Sequence, residues 1–219
     1  MLRFFYRDKP TESTPAFVAS LNPAEWDAQD KYDGWTAVVH IDSPTEVRIM
    51  SSDGNDLSAT NARERRTVVS AFKNAFAQFG LPVDSVFNAE LVGPRGNHPW
   101  GMYMWDCVAY RGRWMDHNPW TERKQIVNDL FLPVVTPGGA IQIAHTVDGA
   151  TANAENPNPL LKRFEHLKTE WLVGGNTMSL TEGIVVKRKI GTFDLSTSRP
   201  GKSSHAFKIK FREIREARF

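Results

Sequence analysis

Residues 206–211 read Ala-Phe-Lys-Ile-Lys-Phe, and this alternation constrains the fold more than any other stretch of the chain. Side chains two apart on a strand share a face, so Lys208 and Lys210 point one way while Phe207, Ile209 and Phe211 point the other. A strand of this kind belongs to a sheet with one apolar face on a core and one polar face on a cleft or on solvent. Residues 183–189 form a second strand-like run, with Lys187 and Lys189 at its end.

The remaining pattern predicts an α+β protein built mainly from antiparallel sheet. Residues 35–41 and 46–51 are rich in β-branched and aromatic side chains and flank Asp42-Ser43-Pro44, which predicts a hairpin with Lys31 at the mouth of a strand. Over 62–79, Val68, Val69, Phe72, Phe76 and Phe79 fall on one helical face, and Gly80-Leu81-Pro82 ends the helix. Strands are expected over 86–92 and 102–110, the second closed by Arg111-Gly112, and over 140–147. A helix capped by Thr121 is expected to reach Phe131, and another is expected from Asn158-Pro159 to about Leu172. Residues 148–157 read as an exposed loop. No repeat or Gly/Ser linker divides the chain, so residues 1–219 are expected to form one domain, with a basic tail at 212–219.

Composition excludes some roles. No apolar run approaches the roughly 20 residues that a membrane helix needs, which excludes a membrane partner of that kind. The charges scattered through Met1–Asp8 do not resemble a signal peptide. Cys107 is the only cysteine, so no internal disulfide or thiolate metal cage can form, and its apolar surroundings predict a buried thiol. The six histidines show no metal-ligand spacing. A net charge of +2 does not announce a nucleic-acid partner, but its distribution is uneven: ten Lys and Arg lie from Lys187 onward, against Asp194, Glu213 and Glu216.

The chemically informative string is Asp30-Lys31-Tyr32-Asp33-Gly34-Trp35. A Lys-x-Asp-Gly tetrad alone is a weak signal. Four further segments follow it in order: Phe87-Asn88-Ala89-Glu90-Leu91-Val92, Met102-Tyr103-Met104-Trp105-Asp106, Glu182-Gly183-Ile184-Val185-Val186-Lys187, and Ala206-Phe207-Lys208-Ile209-Lys210. Together they resemble the nucleotidyltransferase domain shared by ATP-dependent DNA ligases, RNA ligases and mRNA capping enzymes, an ATP-grasp-like fold. The resemblance runs from residue 29 to residue 210.

That resemblance implies a lysyl-AMP on Lys31, with Glu182, Lys187, Lys208 and Lys210 as partners in the site. It also places Glu90 near the ribose and Trp105 on the purine, where the family usually has Phe. Asp30 and Gly34 join the nucleotide-binding set, Asp33 orients Lys31, and the Gln29 amide pairs with the adenine edge, favouring ATP over GTP. Elementary chemistry supports the set independently. A lysine attacks phosphorus only as a free amine, whereas the ordinary ammonium pKa is about 10.4. Burial and neighbouring cations favour the amine, and the same cations stabilise charge developing on phosphate. Mg²⁺ (or Mn²⁺) prefers oxygen ligands, for which Glu182 is the first candidate and Glu90 the second.

The implied activity is joining of a nucleic-acid 5′-phosphate to a 3′-hydroxyl, with DNA ahead of RNA and a GTP-dependent capping guanylyltransferase further behind. The implied setting is cytoplasmic, with a virus-encoded origin left open. Three features depart from the DNA ligases. Thr36 stands two places after the motif glycine, where many carry Arg, and Ser52 replaces Arg in the turn Ser51-Ser52-Asp53-Gly54. The interval from Glu90 to Trp105 is short and suits RNA ligases or capping enzymes better. No OB-fold follows Lys210 in this sequence, which leaves two expectations: an excised domain, or a minimal enzyme that relies on a separate domain or protein, or on its own basic tail, for that function.

Overall fold

The structure, a computed structural model, describes residues 6–59, 63–136, 138–196 and 200–211. The chain opens with β1 (Tyr6–Arg7), β2 (Lys9–Glu12), α1 (Pro15–Ser20), β3 (Trp26–Tyr32), β4 (Trp35–Ile41) and β5 (Val47–Ser51). Next come α2 (Arg63–Gln78), β6 (Ser85–Val92), β7 (Gly101–Tyr110), β8 (Arg113–Trp114) and α3 (Trp120–Phe131). It continues through β9 (Ile141–Ile143), β10 (Thr146–Asp148), α4 (Pro159–Met178), β11 (Thr181–Arg188), β12 (Leu195–Ser196) and β13 (Lys202–Lys210).

Two sheets carry the architecture, and both are mainly antiparallel. One has the order β10-β3-β11-β13-β2; the other runs β5-β4-β6-β7-β8, with β9 added alongside β7. The exceptions are the parallel pairs β13–β2 and β7–β9. Each sheet has its own core. Ala37, Val39, Ile41, Phe87, Ala89 and Leu91 pack with Val69, Phe72 and Phe76 of α2 and Val127 and Phe131 of α3. Ala28, Ile184, Val186 and Ile209 pack with Leu160, Phe164, Leu167 and Trp171 of α4. Because strand side chains alternate, the opposite faces of the two sheets are left to meet across a cleft.

Several sequence expectations hold and others need correction. Residues 206–211 behave as expected: Ile209 and Phe211 are buried, Phe207 packs beside them, and the lysines face away. The Asn158 side chain caps α4 by accepting from the Leu161 N–H at 3.0 Å, but the helix continues to Met178. Helix α3 begins at Trp120 and is not capped by Thr121, whose hydroxyl donates to the Lys189 carbonyl instead. The stretch 140–147 is two strands, because β9 joins β7 while β10 joins β3, so the chain crosses from one sheet to the other at His145. Cys107 is fully buried. The basic tail at 212–219 lies outside the described residues.

Candidate active site

Strand β3 sits between β10 and β11, and its register sets the site. Lys31 lies opposite Gly183, which in turn lies opposite Lys210; one row along, Gln29, Val185 and Lys208 align across the same three strands. Such rows bring same-face side chains together. The close approach of β11 to β13 demands glycine at 183, where an added Cβ would lie 1.9 Å from the Ile209 carbonyl oxygen and φ is +154°. A bulge between Thr181 and Gly183 turns Glu182 toward the row.

Glu182, only 8% exposed, joins two of the lysines. Its Oε1 accepts from Lys31 Nζ and lies 3.2 Å from Lys210 Nζ. Lys208 pairs with Glu12 of β2 at 2.9 Å. Asp33 pairs with Arg95 at 2.9 Å, and Arg95 also donates to the Asp33 and Ser179 carbonyls, so the turn after Lys31 is tied down. Gly34 lies against β6, with no room for a Cβ beside the Leu91 carbonyl.

Between the sheets lies a cavity of about 310 Å³. One wall presents Gln29, Lys31, Val185, Lys187 and Lys208, and the other Thr36, Val38, Asn88, Glu90 and Trp105. Glu182 and Lys210 are not among its lining residues; they reach it through the contact with Lys31. Burial pushes the Glu90 carboxyl up to about 7, although Lys31 and the Gly34 N–H oppose the rise. Thr36, which stands where many DNA ligases carry Arg, is 3.4 Å from Glu90 through its hydroxyl.

Lys187 is enclosed. It is 4% exposed, donates to Gln29 Oε1 at 2.6 Å, and lies 3.7 Å from the Trp120 ring centre and 4.7 Å from that of Trp105. Burial holds its ammonium well below the ordinary lysine range despite the nearby Asp106 carboxylate. The Gln29 amide is engaged at both ends, since Nε2 also donates to the Thr146 hydroxyl at 3.3 Å and the Trp105 carbonyl at 3.4 Å. Asp30 is held by Arg163 of α4 through bonds of 2.8 and 2.5 Å. Burial works to raise the Asp30 carboxyl, but the bonds from Arg163 and His145 outweigh it and lower it. Asp30 therefore anchors β3 to α4, its side chain turned to Arg163.

A buried charge cluster under Trp105 escaped the sequence reading. Asp106 bonds both Arg7 and Arg123. Burial works to raise the Asp106 carboxyl, yet Arg123, Arg7 and Lys187 hold it well below the usual carboxylate range. Arg7 also lines the cavity, its guanidinium 4.4 Å from the Phe193 ring centre and 5.3 Å from that of Trp105. Asp106 lies within the Trp105-Asp106 segment, which was the signal available for it. Arg7 and Arg123 carried none. Among the described residues, no group of three or more His, Cys, Asp and Glu could hold a metal ion.

The two mainly antiparallel sheets, with a cleft between them and Lys31 on a central strand, make a fold shared with solved nucleic-acid ligases. More particularly, it is the fold of the ligase domain of a DNA ligase D. The ligase domain of M. tuberculosis LigD matches with a TM-score of 0.63 and 18% identity over 95% of this chain and 61% of that one. A mycobacterial DNA ligase D complexed with ATP matches equally well, covering 95% of this chain and 62% of its own. A Lig E DNA ligase reaches 0.55 at 13% identity, over 96% of this chain and 69% of that one. An archaeal ATP-dependent RNA ligase reaches 0.50 at 14% identity, over 92% and 47%. The chain thus spans about three-fifths of the LigD domain. No protein-family model and no curated protein sequence matches it.

Proposed function

We propose that the protein is an ATP-dependent polynucleotide ligase whose nucleophile is Lys31. The observation that carries this reading is Glu182 holding Lys31 and Lys210 together beside a nucleotide-sized cleft. In the first step the Lys31 Nζ lone pair forms a bond to the α-phosphorus of ATP as the α–β P–O bond breaks. Pyrophosphate leaves and the amine proton passes to water. A 5′-phosphate oxygen then takes the AMP, breaking the P–N bond, and a 3′-hydroxyl finally displaces AMP to seal the strand. Each transfer depends on positioning and charge neutralisation, which Lys208 supplies on one wall and Lys210 through its place beside Lys31 and Glu182.

Lys187 and Trp105 form the end of the cleft suited to the base, with Gln29 fixed by Lys187 and Asp30 and Gly34 shaping the strand and turn around Lys31. Glu90 and Thr36 suit the ribose, and Asp33 keeps the turn in place through Arg95. A divalent magnesium would share the phosphate oxygens with Glu182, or with Glu90, and would add charge neutralisation at the α-phosphate. Two carboxylates without a third ligand fit an ion that keeps water and substrate oxygens.

DNA is favoured because Lys31-Tyr32-Asp33-Gly34 matches the DNA ligase form of the motif. RNA is the second reading, supported by Thr36 and Ser52 in place of arginines. Incubation with labelled ATP and Mg²⁺ is expected to label the wild-type protein and leave Lys31→Ala unlabelled. Labelling by GTP alone would overturn the ligase assignment. A parallel sealing assay on nicked DNA, nicked RNA and single-stranded RNA then separates the two substrates.

A further inference from the structure

Just outside the cleft, three side chains form a ladder that the proposed chemistry does not use. Trp35, the first residue of β4, is 43% exposed, and its ring lies 5.9 Å from that of Trp100 with planes 23° apart. The Arg65 guanidinium of α2 sits 4.1 Å from the Trp35 ring centre. Gly93 lies beneath both indoles, where a Cβ would touch each at 3.7 Å. The Trp100 indole N–H donates to Glu64 at 2.8 Å, which ties down the one acidic side chain in the segment Arg63-Glu64-Arg65-Arg66. Arg63 and Arg66 are exposed on either side of it, while Arg65 is half-buried, with its Nε enclosed and without a hydrogen-bond partner among the described residues, so the guanidinium's terminal nitrogens are the ones left to meet a ligand.

We infer that this ladder is a docking surface for the phosphodiester backbone of the nucleic acid flanking the sealed end, with Arg65 as its principal contact. Charge complementarity selects the occupant: three arginines stand against one carboxylate already bonded to an indole. Chemistry selects phosphate over base. The Trp35 ring is occupied by Arg65 and Trp100, so it serves to hold a guanidinium flat, and a flat guanidinium presents its N–H edge to phosphate oxygens. Position fits as well. Trp35 follows Lys31 by four residues, so it starts within about 14 Å of the nucleophile along the chain. Backbone phosphates recur every 3.4 Å or so along a strand, which places the contact within roughly four nucleotides of the reacting end. Thr36 and Ser52 stand where phosphate-binding arginines were expected, and Arg48 cannot replace them because it is paired with Asp42 at 2.8 Å.

The inference rests on the ligase reading for the identity of its ligand, and its test separates the two. Binding of a labelled nicked DNA duplex and of a single-stranded RNA is measured from 50 to 200 mM salt, for wild type, Arg65→Ala and Arg65→Lys. Self-labelling by ATP and thermal melting are followed in the same samples. Arg65→Ala is expected to weaken binding about tenfold and to reduce the salt slope by about one, with labelling and melting unchanged. Arg65→Lys should recover only part of the loss, since it keeps the charge but not the stacked plane. Unchanged affinity and slope in Arg65→Ala would overturn the surface, as would labelling that falls in step with binding. A wild type that never labels would sink the ligase reading, while the salt-slope comparison would still decide whether this surface binds phosphate.

Discussion

An added Cβ on Gly34 would lie 2.3 Å from the Leu91 carbonyl oxygen, so the turn between β3 and β4 is packed backbone against backbone on β6. No side chain fits without moving one of those strands. Gly34→Ala is therefore expected to cost about 1–3 kcal/mol in a denaturant melt. Displacement of Lys31 by even about 1 Å should slow lysyl-AMP formation on the order of 100-fold. Wild-type labelling rates in Gly34→Ala would show that the contact does not position the lysine.

Glu90 makes stability fall as pH rises. Its folded-state value of about 7 lies above the ordinary 4.5, so between these limits the native protein binds more protons than the unfolded chain. Ionising it in place costs at most about 3 kcal/mol. Glu90→Gln should melt at higher denaturant than wild type above pH 7, with the gap closing as pH falls toward 4.5. A pH-independent gap would contradict the assignment.

His40 acts at the other end of the scale. It is 2% exposed, neither ring nitrogen has a partner among the described residues, and burial lowers its pKa to about 4. The unfolded chain takes up its proton near 6.5, so stability is lost as pH falls from there toward 4. His40→Leu removes both orphaned nitrogens and should be the more stable protein by about 1–3 kcal/mol at neutral pH. Its advantage should grow in acid, as read from urea melts at pH 7, 6 and 5.

Asp106→Asn leaves the buried Arg123 without its counter-charge and takes from Arg7 one of its two carboxylate partners, Asp8 remaining at 3.7 Å. The expected loss is about 3–5 kcal/mol, more than removal of a surface pair would cause. The Asp106 carboxyl is held low, so its contribution is present above the ordinary aspartate range and disappears only in strong acid. Equal urea midpoints for the two proteins at pH 7 would refute the cluster's role.

Much of this could be seen in the sequence because apolar periodicity survives burial on one face. The hairpin of β4 and β5, the buried face of α2 and the alternation in β13 were all legible that way. So were Lys31, Glu182 and Lys210, which the register brings together at one carboxylate. Strand β3 was not legible. Trp-Asp-Ala-Gln-Asp-Lys-Tyr carries residues that are poor in strands, and it is buried only because distant groups neutralise it. Asp27 bonds Lys124 and Trp120, and Asp30 bonds Arg163. Lys187 was expected to face phosphate, and its enclosure between two indoles depends on Trp120, which comes from a helix with no motif of its own. Partners of this kind are fixed by the tertiary fold, and local pattern carries no trace of them.

Arg7 belongs to a two-residue strand paired with β12, yet its guanidinium forms part of the cavity wall and satisfies Asp106. Strand β1 is thus a structural panel of the cleft. Removing Arg7 would open the cavity beside Trp105 and leave the buried Asp106 carboxylate to Arg123 alone. Affinity tags are for that reason better placed at a distance from this end of the polypeptide.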